Sequence, residues 1–215
     1  MMSPAEKPRR NLTGAVVPGV AAAALAAAAV FIAVEMKGPR QAPADCALSG
    51  VESIGGPISL IDENGVAVTQ RDFSDQPSIV YFGYTHCPDT CPTTMYRLAE
   101  ALKQPGGYDI QPILITLDPG RDSPAVLRQY VHSGGFPNGL VGLTGAQAQT
   151  DAAAQAFKVY HQAHPVAGAS PDQYEVDHTS LLYVMDRSWR TRAAISTGGA
   201  TPADIAQCIA AGLER

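Results

Sequence analysis

The stretch that decides the fold reads Val80-Tyr81-Phe82-Gly83-Tyr84-Thr85-His86-Cys87-Pro88-Asp89-Thr90-Cys91-Pro92. It begins inside an apolar run over residues 78–84, which is typical of a strand covered on both faces. A polar turn with two cysteines follows, and the chain then becomes helix-compatible from Thr90 to Lys103. The sequence therefore predicts a buried strand, a turn carrying two thiols and a helix, in that order.

Strands and helices alternate on both sides of this stretch, which indicates an α/β sheet. Asn64-Gly65 favours a tight turn, so a β-hairpin is expected around it. Ser123 and Pro124 predict the N-cap and first residue of a helix. The expected strands lie over residues 57–61, 66–69, 110–117, 140–143, 181–186 and 190–195, and the expected helices over 125–131, 145–160 and 201–213. The polar segment over residues 161–176 is expected to form a loop or an exposed hairpin.

Length and charge bound the classes of function. The 215 residues are enough for about one domain with a substantial core. The chain has 15 basic and 20 acidic side chains and a net charge of −5, so no basic surface for nucleic acid is indicated. All four cysteines follow an alanine-rich apolar segment near the start. An even number of cysteines is typical of an oxidising compartment.

The N-terminal segment predicts a membrane anchor. Residues 12–34 contain no charged side chain and would span roughly 34 Å as a helix, which is enough to cross a bilayer. Basic residues at positions 7, 9 and 10 favour an N-terminus on the cytoplasmic side. The expected organisation is a cytoplasmic tail over 1–11, an anchor over 12–34, a tether over 35–50 and a folded domain over 51–215. The alternative is a cleaved signal peptide with a cleavage site near residues 42–44.

The two thiols of the opening stretch are placed for redox or metal chemistry. Cys87 precedes the predicted helix, and the positive end of a helix lowers the pKa of a nearby thiol. Cys91 lies four residues further on, so one helical turn brings both sulfurs to one face. Two thiolates favour soft ions, Cu(I) first and Zn(II) second. The alternative is an ordinary disulfide in a protein outside the cytoplasm.

A third metal ligand can be sought among the five histidines. Four occupy positions expected to face elsewhere, namely beside a cysteine, at a helix end or in the irregular segment: His86, His132, His161 and His164. His178 differs because it directly precedes the apolar strand predicted from residue 181. A side chain there can be held firmly and still face a neighbouring turn. Spacing alone makes His178 a candidate and leaves its role open.

These residues resemble the Sco/SenC proteins, copper-binding assembly factors of cytochrome oxidase with a thioredoxin fold. The cysteine stretch matches the copper motif of that family, although its C-x3-C spacing differs from the C-x2-C of thioredoxin. Four further segments match in order, over residues 56–65, 115–124, 157–160 and 177–179. The resemblance implies a thioredoxin-like α/β fold with an added N-terminal β-hairpin. It also implies a single transmembrane helix in the inner membrane and a domain in the periplasm.

The resemblance assigns roles to individual residues. It implies that Cys87, Cys91 and His178 bind copper, as Cu(I) or Cu(II), and that Cys87 and Cys91 form a redox pair. It places Asp118 near the site, where it would support a ligand or recognise a partner. It also leads us to expect a glycine-bearing turn over residues 186–189, where this chain has none. Cys46 and Cys208 lie outside the copper motif, and they could pair, stay free or cross-link two chains.

Two functions compete on this reasoning. A copper metallochaperone would pass copper by thiolate exchange to the copper-binding subunit of a respiratory cytochrome oxidase, with other periplasmic copper chaperones as further partners. A thiol–disulfide reductase would instead use Cys87 and Cys91 to keep the oxidase cysteines reduced. We favour the metallochaperone over an enzyme. A peroxiredoxin-like peroxidase and a structural domain with two disulfides are the remaining alternatives.

Overall fold

The computed structural model describes residues 43–104, 109–166, 168, 170 and 173–214. The strands in these residues are β1 (Cys46–Ala47), β2 (Ser59–Asp62), β3 (Ala67–Thr69), β4 (Ser78–Gly83), β5 (Gln111–Thr116), β6 (Val141–Thr144), β7 (His161–Pro165), β8 (Tyr174–His178), β9 (Leu181–Met185) and β10 (Thr191–Ser196). The α-helices are α1 (Thr90–Leu102), α2 (Pro124–Val131), α3 (Gln147–Ala156) and α4 (Pro202–Leu213), and a 3-10 helix covers Gln70–Phe73.

The predicted membrane anchor over residues 12–34 lies outside the described residues. Among the residues that are described, none of the helices combines the length and the apolar character needed to cross a membrane. Residues 43–50, which the sequence assigns to a tether, include β1, and β1 pairs with β10 through Cys46 and Ile195. The folded part therefore begins before the predicted boundary at residue 51, because a two-residue strand gives no recognisable pattern in the sequence.

Eight of the strands form one mixed sheet with the order β1-β10-β9-β4-β5-β6-β2-β3. Strands β4, β5 and β6 run parallel, and the other neighbours run antiparallel. Every residue of β4 is buried, as its unbroken apolar sequence predicts. The predicted α/β sheet is confirmed, and the stretch quoted first forms its central strand. Strands β7 and β8 form a separate two-stranded hairpin, in agreement with the exposed hairpin expected there.

Local signals placed most elements correctly. Asp62 Oδ1 accepts hydrogen bonds from the backbone N–H groups of Asn64 and Val66, at 2.9 Å and 2.7 Å, and Gly65 takes a φ of +82° in the predicted hairpin turn. Ser123 caps α2 by accepting from the backbone N–H of Val126 at 3.4 Å, with Pro124 as the first helical residue. These caps fix where the hairpin turns and where the helix begins.

Helix α3 is shorter than the predicted helix over residues 145–160. It ends at Ala156, and Lys158 takes a left-handed φ of 56° that turns the chain out of the helix. The side chain of Phe157 is fully buried and contacts Phe82 and Tyr183, with ring centroids 5.2 Å and 5.3 Å away. Burial of this ring therefore fixes the end of the helix, and no glycine or proline marks it in the sequence.

The turn over residues 186–189 has a tryptophan, fixed by side-chain contacts, where the resemblance leads us to expect a glycine. Trp189 has a φ of 59°, the left-handed conformation that glycine usually supplies. Its indole N–H donates to the carbonyl oxygen of Gly56 at 2.8 Å, and its ring stacks on Phe73 at 6.0 Å. Asp186 Oδ1 accepts from the backbone N–H of Ser188 at 2.8 Å. The expected hairpin turn is present, and side-chain contacts offset the missing glycine.

A disulfide joins the two ends of the folded region. Cys46 in β1 and Cys208 in α4 are bonded, with Cα atoms 5.7 Å apart and 162 positions apart in the chain. Cys208 is fully buried. Of the three alternatives that the sequence leaves open for these cysteines, the structure therefore has the intramolecular pair. The bond fastens the edge strand of the sheet to the last helix.

Candidate metal centre

The turn between β4 and α1 carries the other two cysteines as free thiols. Cys87 is half-buried and Cys91 is fully buried. The sulfur of Cys87 accepts a hydrogen bond from the backbone N–H of Cys91 at 3.3 Å. Asp89, at the N-cap position, makes no side-chain capping bond. A sulfur therefore occupies the place of a capping oxygen, at the positive end of the helix, as the sequence predicts.

His178 is brought to this turn from the far part of the chain. It is the last residue of β8 and lies three positions before β9, the strand that the sequence predicts from residue 181. Its Nε2 lies 3.5 Å from the sulfur of Cys91, and its Nδ1 lies 3.1 Å from the carbonyl oxygen of Thr179. Because a carbonyl oxygen can only accept, Nδ1 carries the hydrogen and Nε2 presents its lone pair to the thiols.

The three donors form a compact set. The sulfurs of Cys87 and Cys91 and a ring nitrogen of His178 all lie within 4.8 Å of one another. Two sulfurs and one imidazole nitrogen are ligands that suit a soft ion such as Cu(I). A backbone carbonyl that accepts from the second ring nitrogen is the usual support of a metal-binding histidine. A surface cleft lined by Cys87, Pro88, Asp177 and His178 leads to the set.

The two thiols differ in acidity in the metal-free, reduced state. A hydrogen bond from the Cys91 thiol, with further ones from the backbone N–H groups of Cys91 and Asp89, lowers the pKa of Cys87 to about 4. The hydrogen bond to Cys87 and burial raise the pKa of Cys91 far above its ordinary value. At neutral pH the pair therefore holds one proton, on Cys91, and the negative charge lies on the more accessible sulfur.

Two tyrosines that the sequence reasoning did not single out surround the histidine. The rings of Tyr81 and Tyr84 each meet the His178 ring edge to face, with centroids 6.0 Å away. The Tyr81 hydroxyl lies 3.8 Å from the sulfur of Cys91. The Tyr84 hydroxyl accepts from the backbone N–H of Val176 at 3.2 Å, and burial raises its pKa to about 12. The only signal in the sequence was the presence of aromatic residues just before the cysteines.

Asp118, which the resemblance places near the site, does not join the three donors. Its carboxylate is 5% exposed and accepts hydrogen bonds from the guanidinium of Arg121 and from the Tyr174 hydroxyl, the latter at 2.7 Å. Tyr174 begins the strand that ends at His178. Asp118 therefore contacts the hairpin that carries the histidine.

The remaining histidines have other neighbours. His86 is half-exposed and lies 3.7 Å from Asp122, close to Asp118. The Asp122 oxygens already accept from the backbone N–H and hydroxyl of Thr85 and from the Thr116 hydroxyl, which makes this group a structural one. Of the other three, His132 is exposed and contacts the carbonyl of Arg128, and His164 is exposed and lies near Asp177. His161 is partly buried and lies near Asp151.

The folded domain matches the model of a known protein family. The SCO1/SenC family model matches residues 47–214. Among curated proteins, SenC of Rhodobacter capsulatus is 39% identical over 140 residues, which cover 64% of this chain and 61% of SenC. SCO1 of Saccharomyces cerevisiae is 38% identical over 140 residues, which cover 64% of this chain and 46% of that protein. The chain thus spans less than two thirds of the length of these relatives.

Solved structures show the same architecture. Arabidopsis thaliana ScoI with copper bound superimposes with a TM-score of 0.68 at 30% identity, over 75% of this chain and 98% of that one. Yeast Sco1 with copper bound gives a TM-score of 0.67 at 32% identity, over 75% of this chain and 89% of that one. The likeness confirms the predicted thioredoxin-like α/β fold of the folded domain.

Proposed function

Because this chain belongs to the SCO1/SenC family, we propose that it binds copper through Cys87, Cys91 and His178 and delivers it during assembly of a respiratory cytochrome oxidase. The observation that carries the proposal is the convergence of two thiols and one imidazole within 4.8 Å. Copper is the cargo in this proposal, and the copper-binding subunit of the oxidase is the receiver. Other periplasmic copper chaperones are the proposed source.

Relatives of known structure support the choice of metal. Copper is bound in Arabidopsis thaliana ScoI, in Bradyrhizobium japonicum ScoI and in yeast Sco1, at 30%, 35% and 32% identity. Another structural neighbour, BsSco, is described as a member of the Sco family of cytochrome c oxidase assembly proteins. That neighbour is only 19% identical, so it supports the fold of this chain, and the oxidase remains part of the proposal.

The arrangement of donors suits transfer by ligand exchange. Cys87 lies at the cleft, while Cys91 is buried behind it. An incoming thiolate can therefore approach a three-ligand copper ion from the cleft, where Cys87 and His178 lie, and the buried Cys91 is the last ligand to be replaced. Binding requires Cys91 to lose its proton, because the metal ligand is the thiolate. Loading Cu(I) at neutral pH should therefore release about one proton per chain.

The proposed location is the outer face of the inner membrane. Residues 12–34 would anchor the chain, with the domain in the periplasm. The Cys46–Cys208 disulfide supports this location, because disulfides persist in oxidising compartments and are rare in the cytosol. Protease treatment of spheroplasts should digest the domain, while intact cells should protect it. Protection of the domain in spheroplasts would contradict this topology.

Copper titration of the intact chain, with Cys87 and Cys91 reduced and excess reductant removed, tests the proposed site. We expect one copper per chain, with two sulfur neighbours and one nitrogen neighbour in X-ray absorption. His178→Ala should remove the nitrogen neighbour and weaken copper binding about 100-fold. Four-ligand thiolate and imidazole sites bind a metal ion with about 10–16 kcal/mol in total, so each ligand contributes about 3 kcal/mol. His132→Ala is the control, because that histidine contacts a helix carbonyl. Wild-type affinity in the His178→Ala variant would contradict the three-ligand site.

A second function, thiol–disulfide reduction, is favoured by the unequal acidity of the two thiols. The Cys87 thiolate would attack a target disulfide, form a mixed disulfide and release one target thiolate. Cys91 would then lose its proton, attack the Cys87 sulfur and release the second target thiolate. The pair ends as a Cys87–Cys91 disulfide, having supplied two electrons. A Cys91→Ser variant should trap the mixed disulfide, and His178→Ala should keep most of the exchange activity.

A further inference from the structure

His178 lies on an element that is separate from the main sheet. Strands β7 and β8 pair only with each other among the described residues, with His161 opposite His178 and Pro165 opposite Tyr174. Most side chains of this hairpin are exposed, and Val176 is the one that is buried in β8. A hairpin with so little buried surface needs other contacts to hold it in one orientation. Its orientation decides where the histidine points.

We propose that Asp118, Arg121 and Tyr174 form a latch that fixes the hairpin and thereby positions His178 on the two thiols. The three are called the latch below. The proposal rests on the copper-binding role proposed for His178, and it assigns to the latch a positioning role and no direct contact with the metal.

The contacts within the latch join the loop after β5 to the first residue of β8. The guanidinium of Arg121 donates to the carboxylate of Asp118, and its Nη1 donates to the backbone carbonyl of Tyr174 at 3.0 Å. The same guanidinium lies over the Tyr174 ring, 3.6 Å from its centroid. The Tyr174 hydroxyl links back to the start of this set of contacts, because it donates a hydrogen bond to the other carboxylate oxygen of Asp118 at 2.7 Å. The side chains of Arg121 and Asp118 are 18% and 5% exposed, so these bonds are shielded from water.

The latch reaches His178 by two routes. One route is the strand itself, because Tyr174 and His178 are the first and last residues of β8. The other route is Tyr84, which lies 5.9 Å from the Arg121 guanidinium, accepts a hydrogen bond from Val176 and meets the His178 ring. Both routes end at the histidine.

The latch is also tied to the turn that carries the thiols. Asp122 directly follows Arg121 and accepts from the backbone N–H of Thr85 at 3.0 Å and from its hydroxyl at 2.6 Å. Thr85 lies two residues before Cys87. The loop after β5 therefore holds the thiol turn through Asp122 and the histidine hairpin through the latch. This loop sets the distance between the sulfurs and the imidazole.

Tyr174→Phe is the test variant, because it removes one hydroxyl and keeps the ring on Arg121. We expect Cu(I) affinity of the intact chain to fall about 10-fold, the usual lower bound for loss of a supporting contact around a metal ligand. X-ray absorption should still count two sulfurs, with a weakened nitrogen shell. The backbone N–H of Val176 should exchange faster in the metal-free chain. Tyr160→Phe is the matched control directly before β7, because among the described residues its hydroxyl bonds to Gln162 on the surface.

A double-mutant cycle separates positioning from general destabilisation. If Tyr174 acts through His178, Tyr174→Phe should weaken copper binding in the wild-type chain and have no further effect in the His178→Ala chain. Equal losses in both backgrounds, or no loss in the wild type, would overturn the latch and leave the proposed copper site intact. Unchanged copper binding in His178→Ala alone would overturn both. Asp118→Asn, which keeps the side-chain volume, is an independent second variant with the same expected direction.

Discussion

The two cysteine pairs of this chain have the same functional group in very different surroundings. Cys46 and Cys208 connect an edge strand to the last helix and form a disulfide. Cys87 and Cys91 lie where the central strand ends and a helix begins, and they are free thiols. One sulfur of each pair is fully buried, so burial does not distinguish them.

The difference lies in what surrounds the sulfurs. The Cys87 sulfur accepts a helix N–H, and the Cys91 sulfur faces an imidazole nitrogen at 3.5 Å. The first contact favours a thiolate, and the second places a nitrogen donor for a metal ion beside the buried sulfur. The disulfide, in contrast, closes a loop of 162 positions in sequence and thereby limits the freedom of the unfolded chain. The position of each pair in the fold therefore indicates thiolate or metal chemistry for Cys87 and Cys91, and stabilisation of the folded domain for Cys46 and Cys208.

Removing both free thiols should have the largest effect. A Cys87→Ser, Cys91→Ser double variant should lose about 10⁴-fold in Cu(I) affinity, taking about 3 kcal/mol for each ligand. The metal-free chain should stay folded, with a loss of about 1–3 kcal/mol at most for the smaller and more polar side chain at the buried position 91. Competition with a chromophoric Cu(I) chelator measures the first quantity, and circular dichroism during heating measures the second. Retained tight binding would show that the donors lie elsewhere.

Removing the disulfide should lower the stability of the chain and leave copper binding unchanged. A Cys46→Ala, Cys208→Ala variant should lose about 4 to 5 kcal/mol of unfolding free energy in the chain-entropy model and keep one copper per chain. Denaturant unfolding of the oxidised wild type and the variant gives the difference. The single variant Cys46→Ala is a control that also leaves a free thiol at position 208. A variant that is as stable as the wild type, or one that no longer binds copper, would contradict the division of roles.

The sequence predicted the parts of the comparison that depend on local pattern. The strand, turn and helix around Cys87 follow from an apolar run, a polar turn and the spacing of the cysteines. Helix α2 follows from its serine cap and proline. The end of α3 could not be predicted, because Lys158 takes a positive φ under the influence of a buried ring rather than through a glycine.

The long-range part of the site required the family resemblance or the structure. His178 lies 87 positions after Cys91, and its place beside the sulfur depends on how the hairpin is held against the sheet. The resemblance supplied this residue, whereas spacing alone left it open. Tyr81 and Tyr84 were hidden within an apolar run that gives no indication of facing a site. The bond between Asp118 and Tyr174, 56 positions apart, likewise has no signature in the sequence.

The pH dependence of alkylation should distinguish Cys87 from an ordinary thiol. Thiolate is the reactive form, and a pKa of about 4 means that Cys87 is ionised throughout the range from pH 6 to pH 8. Its alkylation rate in the metal-free chain should be nearly flat there and fall only as the pH drops towards 4. Cys208 in the unfolded, reduced chain should instead slow about 10-fold per pH unit below its ordinary pKa of about 8.5.

Mass spectrometry of iodoacetamide-treated protein, quenched at fixed times, gives both rates. At pH 6 an ordinary thiol is ionised to about 0.3%, so the thiolate fractions of the two residues should differ about 300-fold. The lower nucleophilicity of an acidic thiolate offsets part of this advantage. A Cys87 rate that rises steeply between pH 6 and pH 8 would contradict the assigned charge, and the two pairs would then have similar intrinsic acidity.

The smallest expected effect concerns the packing around the sulfurs, which is tight at the free thiols and loose near the disulfide. A Cβ atom at Gly83 would lie 2.9 Å from the Tyr81 ring and 3.0 Å from the Cys91 sulfur, both fully buried. Gly83→Ala should therefore cost about 1–3 kcal/mol of unfolding free energy and weaken copper binding by displacing that sulfur. Gly199→Ala, whose Cβ would meet only an Asp45 oxygen at 3.6 Å, is the matched variant near the disulfide. It should change stability by less than about 0.5 kcal/mol. Equal stability of the two variants in urea unfolding would mean that the thiol turn relaxes as freely as the surface loop around Gly199. The packing around Gly83 would then not be what holds the Cys91 sulfur beside His178.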